Sequence, residues 1–161
     1  MNTDKKISRR EALKRMGFAV MSGAIASSGL LSLASCETKR SKRIIFYFTG
    51  TGNSLYIARQ LAGENAELLS IPQMVKRGKY EFEADEIGIV YPIYGHMPPY
   101  MVRQFIQKAK LKAEYKFAVL TYGARKCDAV EIWDRISRKA DNAFDYINTI
   151  IMVDNWLPNF D

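Results

Sequence analysis

The eleven residues Ile44-Ile45-Phe46-Tyr47-Phe48-Thr49-Gly50-Thr51-Gly52-Asn53-Ser54 constrain this chain more than any other stretch. Five consecutive apolar residues, β-branched or aromatic, spell a strand buried on both faces. Six small polar residues follow at once. Then Leu55, Ala58, Leu61 and Ala62 recur at helical spacing until Gly63 stops them. A strand that turns straight into a helix points the helix's unpaired N–H groups and the positive end of its dipole into the turn. Such a turn holds a phosphate without any lysine or arginine. Gly50 and Gly52 let the backbone come close, and Thr49, Thr51, Asn53 and Ser54 add hydroxyl and amide groups. Two common phosphate loops are excluded. No Gly-Lys-Ser/Thr follows, and Leu55 stands where the third glycine of the dinucleotide fingerprint belongs.

The rest of the chain repeats the alternation. Ala66 to Ile71 reads as a second strand ended by Pro72, and Glu86 to Tyr91 as a third ended by Pro92. Met101 to Ala109 is a helix with Val102, Phe105 and Ile106 inward. Lys116 to Tyr122 is a fourth strand, Cys127 to Ala140 a helix carrying Val130, Ile132, Trp133 and Ile136, and Ile147 to Val153 a fifth strand. Strands alternating with helices imply an α/β fold, a doubly wound five-stranded parallel sheet covered on both faces. Ligands of such sheets bind beyond the carboxyl ends of the strands, at the switch in strand order. Three unusual loops fall at that edge: 49–54, 91–99 and 121–125. The sequence given stops at Asp161, just after the fifth strand, so a final helix is expected to be missing.

The first loop resembles the flavodoxin phosphate loop, Ser/Thr-x-Thr-Gly-x-Ser/Thr, with every specified position present. The segments FTGTGNS, YPIYGHMPPYMVRQFI and MVDNWLP are similar to the flavodoxin half of bacterial proteins that fuse flavodoxin to a two-cluster ferredoxin, although the ferredoxin cysteines are absent here. The resemblance implies FMN as cofactor, its phosphate held by Thr49, Gly50, Thr51, Gly52, Asn53 and Ser54. An isoalloxazine ring is flat and apolar and binds by stacking. Tyr94 is the residue expected on that ring, with Pro92, Ile93 and Gly95 shaping the loop. By the same resemblance Thr121, Tyr122, Gly123 and Ala124 take the other face and the pyrimidine edge. Arg125 and Lys126 either favour the anionic reduced flavin or are simply solvated. His96 is read as a solvated loop residue or a lining one, and Cys127 as structural, with a redox role as the alternative.

Composition narrows the partners. Of the formal net charge of +7, residues 1–35 hold +4, since six basic residues there face only Asp4 and Glu11, and +3 remains for the rest. That excess makes no case for nucleic acid. Two cysteines and one histidine are too few for a disulfide framework, an iron–sulfur cluster or a zinc site, so no metal is expected.

Residues 1–35 read as an export signal, a basic stretch followed by a loose apolar one. Ser8-Arg9-Arg10-Glu11-Ala12-Leu13-Lys14 resembles the twin-arginine type, with Ala12 where an aromatic is often found. Leu33-Ala34-Ser35-Cys36 resembles a bacterial lipobox, which implies lipidation of Cys36, a polar tether over 36–42 and a flavodoxin-like domain over 43–161. The alternatives are an incidental cysteine behind a simple signal, or an uncleaved anchor over 16–34. The expectation is an FMN electron carrier on the outer face of the cytoplasmic membrane, serving redox partner proteins of the ferredoxin type. An FMN-dependent quinone-type reductase is one alternative, and a flavin-free binding module another.

Overall fold

The computed structural model describes Lys42–Val153. The export signal, the lipobox cysteine Cys36, most of the tether and residues 154–161 lie outside the described residues.

Seven strands and four helices follow in chain order: β1 (Arg43–Tyr47), α1 (Asn53–Ala62), β2 (Ala66–Ser70), α2 (Ile71–Arg77), β3 (Glu81–Glu83), β4 (Glu86–Pro92), α3 (Tyr100–Lys108), β5 (Lys110–Lys112), β6 (Tyr115–Tyr122), α4 (Ala129–Lys139) and β7 (Tyr146–Ile151). Five strands form one parallel sheet in the order β2-β1-β4-β6-β7. This is the doubly wound architecture with the flavodoxin-like strand order. The three central strands carry the continuous apolar runs, because both their faces are covered. Edge strands β2 and β7 are mixed in composition and only partly buried.

Alternation along β1 sorts the core into two layers. Ile44 and Phe46 face the side covered by α2, α3 and α4, where Ile71, Met74, Phe105 and Trp133 are buried. Ile45 faces the side covered by α1, whose Ala58 and Ala62 lie against Val90, Phe117 and Val119. Gly88 in β4 matters to that second layer: a Cβ there would run into the Phe117 ring lying across it. Burying side chains of this size stabilises the fold by roughly 1.5–3 kcal/mol each relative to exposure.

Two expectations are corrected here, and one small sheet is added. Ile71 opens a helix, Ile71–Arg77, rather than ending the second strand. Pro72 does not only stop β2. In the first turn its fixed φ is already helical and its missing N–H leaves nothing unbonded. Gly78, at φ 64, then closes α2: its N–H donates to the Val75 carbonyl at 3.2 Å, and that of Lys79 to Met74 at 3.1 Å. Helix α4 begins at Ala129 rather than Cys127, whose φ of 43 takes it out of the helical region. Finally, β3 and β5 pair in a small parallel sheet of their own, too short for any periodicity to reveal. Phe82 and Leu111 point inward from it, and the exposed Lys110–Glu81 ion pair spans it at 2.7 Å.

Candidate functional site

The sheet changes direction between β1 and β4: the chain winds from β1 outward to β2 on one side and through β4, β6 and β7 on the other. The carboxyl ends of β1, β4 and β6 therefore deliver the loops 49–54, 93–99 and 123–128 to one place. Ladder bonds hold the bases of these loops. The N–H of Phe48 donates to Val90 at 2.9 Å, that of Ile93 to Thr121 at 2.8 Å, and that of Met152 to Tyr122 at 2.8 Å.

Between the loops lies an open cleft of about 550 Å³. Thr49, Gly50, Thr51, Asn53, Ser54, Pro92, Ile93, Tyr94, Gly95, Thr121, Tyr122, Gly123 and Ala124 all line it. Gly52 does not; it sits at the N-cap of α1 with φ 100, a conformation that costs glycine little and other residues more. Met152 and Val153, past the end of β7, and Arg125 complete the lining. The first two were missed in the sequence, although a fifth parallel strand necessarily ends at this same edge. His96 and Cys127 stand outside the cleft lining, beside one another.

Hydrogen bonds give the loop side chains distinct tasks. The Gly52 N–H donates to Thr49 Oγ1 at 2.9 Å and closes the turn. The Ser54 and Thr121 hydroxyls, both buried, meet at 2.8 Å and tie the first loop to the end of β6. Asn53 Nδ2 donates to the Val153 carbonyl at 2.8 Å. Thr51 is exposed and has no side-chain partner among the described residues. The anion-holding capacity of this turn thus resides in the first-turn N–H groups of α1 and in Thr51, while Ser54 and Asn53 spend their side chains on holding the loops together.

Across the cleft, Tyr94 is half exposed and meets Phe48 edge-on, with ring centroids 6.5 Å apart. Its backbone is fixed by a two-residue turn: Tyr94 and Met97 exchange N–H···O bonds of 3.0 and 3.1 Å around Gly95 and His96. Both central residues have positive φ, 54 and 69, as a type I′ turn requires. The first and second loops touch here, for a Cβ on Gly50 would stand 2.7 Å from the Tyr94 hydroxyl. Among the described residues, the one charged side chain on the cleft is Arg125, and no carboxylate lines it. Among the described residues no group of three or more His, Cys, Asp or Glu is placed to hold a metal ion. Nor is any described helix long and apolar enough to cross a membrane.

No family model matches the sequence, and no curated protein matches it. Solved structures do. A flavoprotein from Lactobacillus acidophilus, determined in complex with FMN, superposes with a TM-score of 0.50 at 12% identity, over 68% of this chain and 93% of that one. A Bacteroides eggerthii protein superposes with a TM-score of 0.52 at 17% identity, over 70% and 88%. The two-electron reduced flavodoxin of Megasphaera elsdenii gives 0.48 at 19% identity, over 68% and 84%. With the strand order, the first two establish that this chain has the flavodoxin-like fold.

Proposed function

We propose that this protein binds FMN in the cleft between the three loops and serves as an electron carrier. The observation that carries the reading is the cleft itself: the N-terminus of α1 and a half-exposed tyrosine confront each other across a space with no carboxylate among its described lining residues. Each part suits one part of FMN. The N–H groups of the first α1 turn and the Thr51 hydroxyl would take the phosphate, which a lining acid would repel. Tyr94 presents a face for the flat ring, with Tyr122 at the end of β6 also lining the cleft. A volume of about 550 Å³ falls within the range of ligand clefts, roughly 300–1,000 Å³. The FMN bound by the Lactobacillus acidophilus protein of the same fold supports the assignment. When bound, FMN supplies one- and two-electron transfer, and the protein's part is anchoring, stacking and excluding water from one face of the ring. An open cleft lets an electron reach a partner protein, and a ferredoxin-type donor or acceptor fits that role.

The carrier acts outside the cytoplasm in this reading, held at the outer face of the membrane through lipidated Cys36. The Arg9-Arg10 signal and the Leu33-Ala34-Ser35-Cys36 sequence support it.

Titration of the full chain with FMN, followed by flavin absorbance and fluorescence quenching, tests the cofactor. Saturable binding with Kd of about 1 μM or tighter, worth about 8 kcal/mol, is the expected result. Riboflavin, which lacks the phosphate, should bind at least tenfold more weakly, about 1.4 kcal/mol. Tyr94→Ala should weaken FMN by a similar factor. Gly50→Ala should do so too, because its methyl group would displace the Tyr94 hydroxyl. A chain that leaves FMN free at tens of micromolar would refute the proposal, and equal binding of riboflavin would remove the phosphate turn from it.

A further inference from the structure

Two residues other than glycine hold left-handed backbone in the loops after β4 and β6, His96 at φ 69 and Cys127 at φ 43. His96 is the second central residue of the tight turn after β4, and Cys127 lies two residues before α4. Although they are 31 positions apart in sequence, Cys127 Sγ and His96 Nε2 stand 3.3 Å from each other. Both residues are exposed, so a small molecule can reach the sulfur. A thiol within hydrogen-bond reach of an imidazole nitrogen is the arrangement of a nucleophile with its base. The neighbours along the chain, Arg125 and Lys126, add positive charge, and Asp128 partly offsets it.

We infer that Cys127 and His96 form a thiol-exchange site for small disulfides, separate from the cofactor cleft and independent of the FMN proposal. The step balances without any further reagent. His96 Nε2 takes the Cys127 proton, Sγ attacks one sulfur of the disulfide, and a new S–S bond forms as the old one breaks. The departing thiolate receives the proton from His96. The disulfide is thereby reduced to one free thiol plus the mixed disulfide on Cys127, and a second thiol reverses the reaction.

The test uses the full chain carrying Cys36→Ser, so that Cys127 is its only thiol. The rate of reaction with 5,5′-dithiobis(2-nitrobenzoate) at neutral pH is compared with that of a second chain bearing His96→Asn as well. Asparagine tolerates the left-handed backbone but supplies no base. The urea-unfolded parent gives the rate of an unassisted thiol. The folded parent should react about tenfold or more faster than both. With oxidised glutathione, mass spectrometry should show one adduct per chain, removed by a reducing thiol. Equal rates for the parent and the His96→Asn chain, or a folded parent no faster than the unfolded one, would overturn the inference.

Discussion

Tyr91 shows how much a single buried atom can reveal. Its ring packs against Trp133, with centroids 4.9 Å apart, in the layer beneath α4. Its hydroxyl and the Trp133 indole Nε1 are both buried without a hydrogen-bond partner among the described residues. An unsatisfied buried polar group costs about 1–3 kcal/mol. Tyr91→Phe keeps the ring and removes the liability, so it should leave stability unchanged or raise it by about 1 kcal/mol in urea unfolding. Burial also pushes the Tyr91 phenol well above its ordinary value of 10.0. Above about pH 10 the unfolded chain releases this proton while the folded chain keeps it. Stability therefore falls with rising pH, by up to about 1.4 kcal/mol per unit for this group. Urea titrations at about pH 9 and pH 11 should show the Tyr91→Phe chain losing less stability than the parent. Should both lose the same amount, Tyr91 is not the source of the alkaline slope. At this scale the sequence was legible where a residue's type declared its environment. The aromatic run of β1 is one case and the small polar loop after it another. It did not pair His96 with Cys127, because only the turn after β4 and the approach to α4 bring them together.

At the scale of elements, Asn142 joins three of them. Buried in the chain just after α4, it accepts from the Leu111 N–H of β5 at 3.2 Å. It donates to the carbonyls of Ile106, Ala109 and Ala140 at 3.2, 2.8 and 2.9 Å. These carbonyls belong to the end of α3, the residue after it, and the residue after α4, positions that no helix bond can satisfy. Asn142→Ala would strand several buried groups at once and should cost about 2–4 kcal/mol, read as a lowered urea midpoint with unchanged slope. A loss below about 0.5 kcal/mol would mean that water replaces the amide. Nothing in the sequence singles out Asn142, since its partners lie two to 36 positions away. Elements with long apolar runs or clear helical spacing were legible. Helix α2 was less so, although Pro72 and Gly78 bracket it as first-turn proline and terminal glycine do.

On the scale of the whole molecule, parallel winding assembles the cleft. Five strands pointing the same way must release their loops at one edge, and the reversal of winding between β1 and β4 parts those loops. The residues that tie them, Ser54 with Thr121 and Asn53 with Val153, are 67 and 100 positions apart. The proposed tether belongs to this scale as well. Expressed in a bacterium that lipidates exported proteins, the chain should fractionate with membranes and incorporate labelled fatty acid. Cys36→Ser should be found in the soluble fraction, because the buried methylenes, about 0.8 kcal/mol each, are then lost. FMN affinity should be unchanged by that substitution. Membrane association that persists in the Cys36→Ser chain would point instead to an uncleaved apolar segment over residues 16–34.

Local pattern determined the class of fold and the character of the loops. A strand buried on both faces must be apolar throughout, and a turn that leads straight from it into a helix must be small and polar, so both conditions are written in consecutive residues. Short pieces and contacts across the fold were decided only in three dimensions. The β3–β5 pair, the hub at Asn142, the placement of Tyr94 over Gly50 and the meeting of His96 with Cys127 are set by how the layers pack, and a contact between distant residues leaves no periodic trace in one sequence.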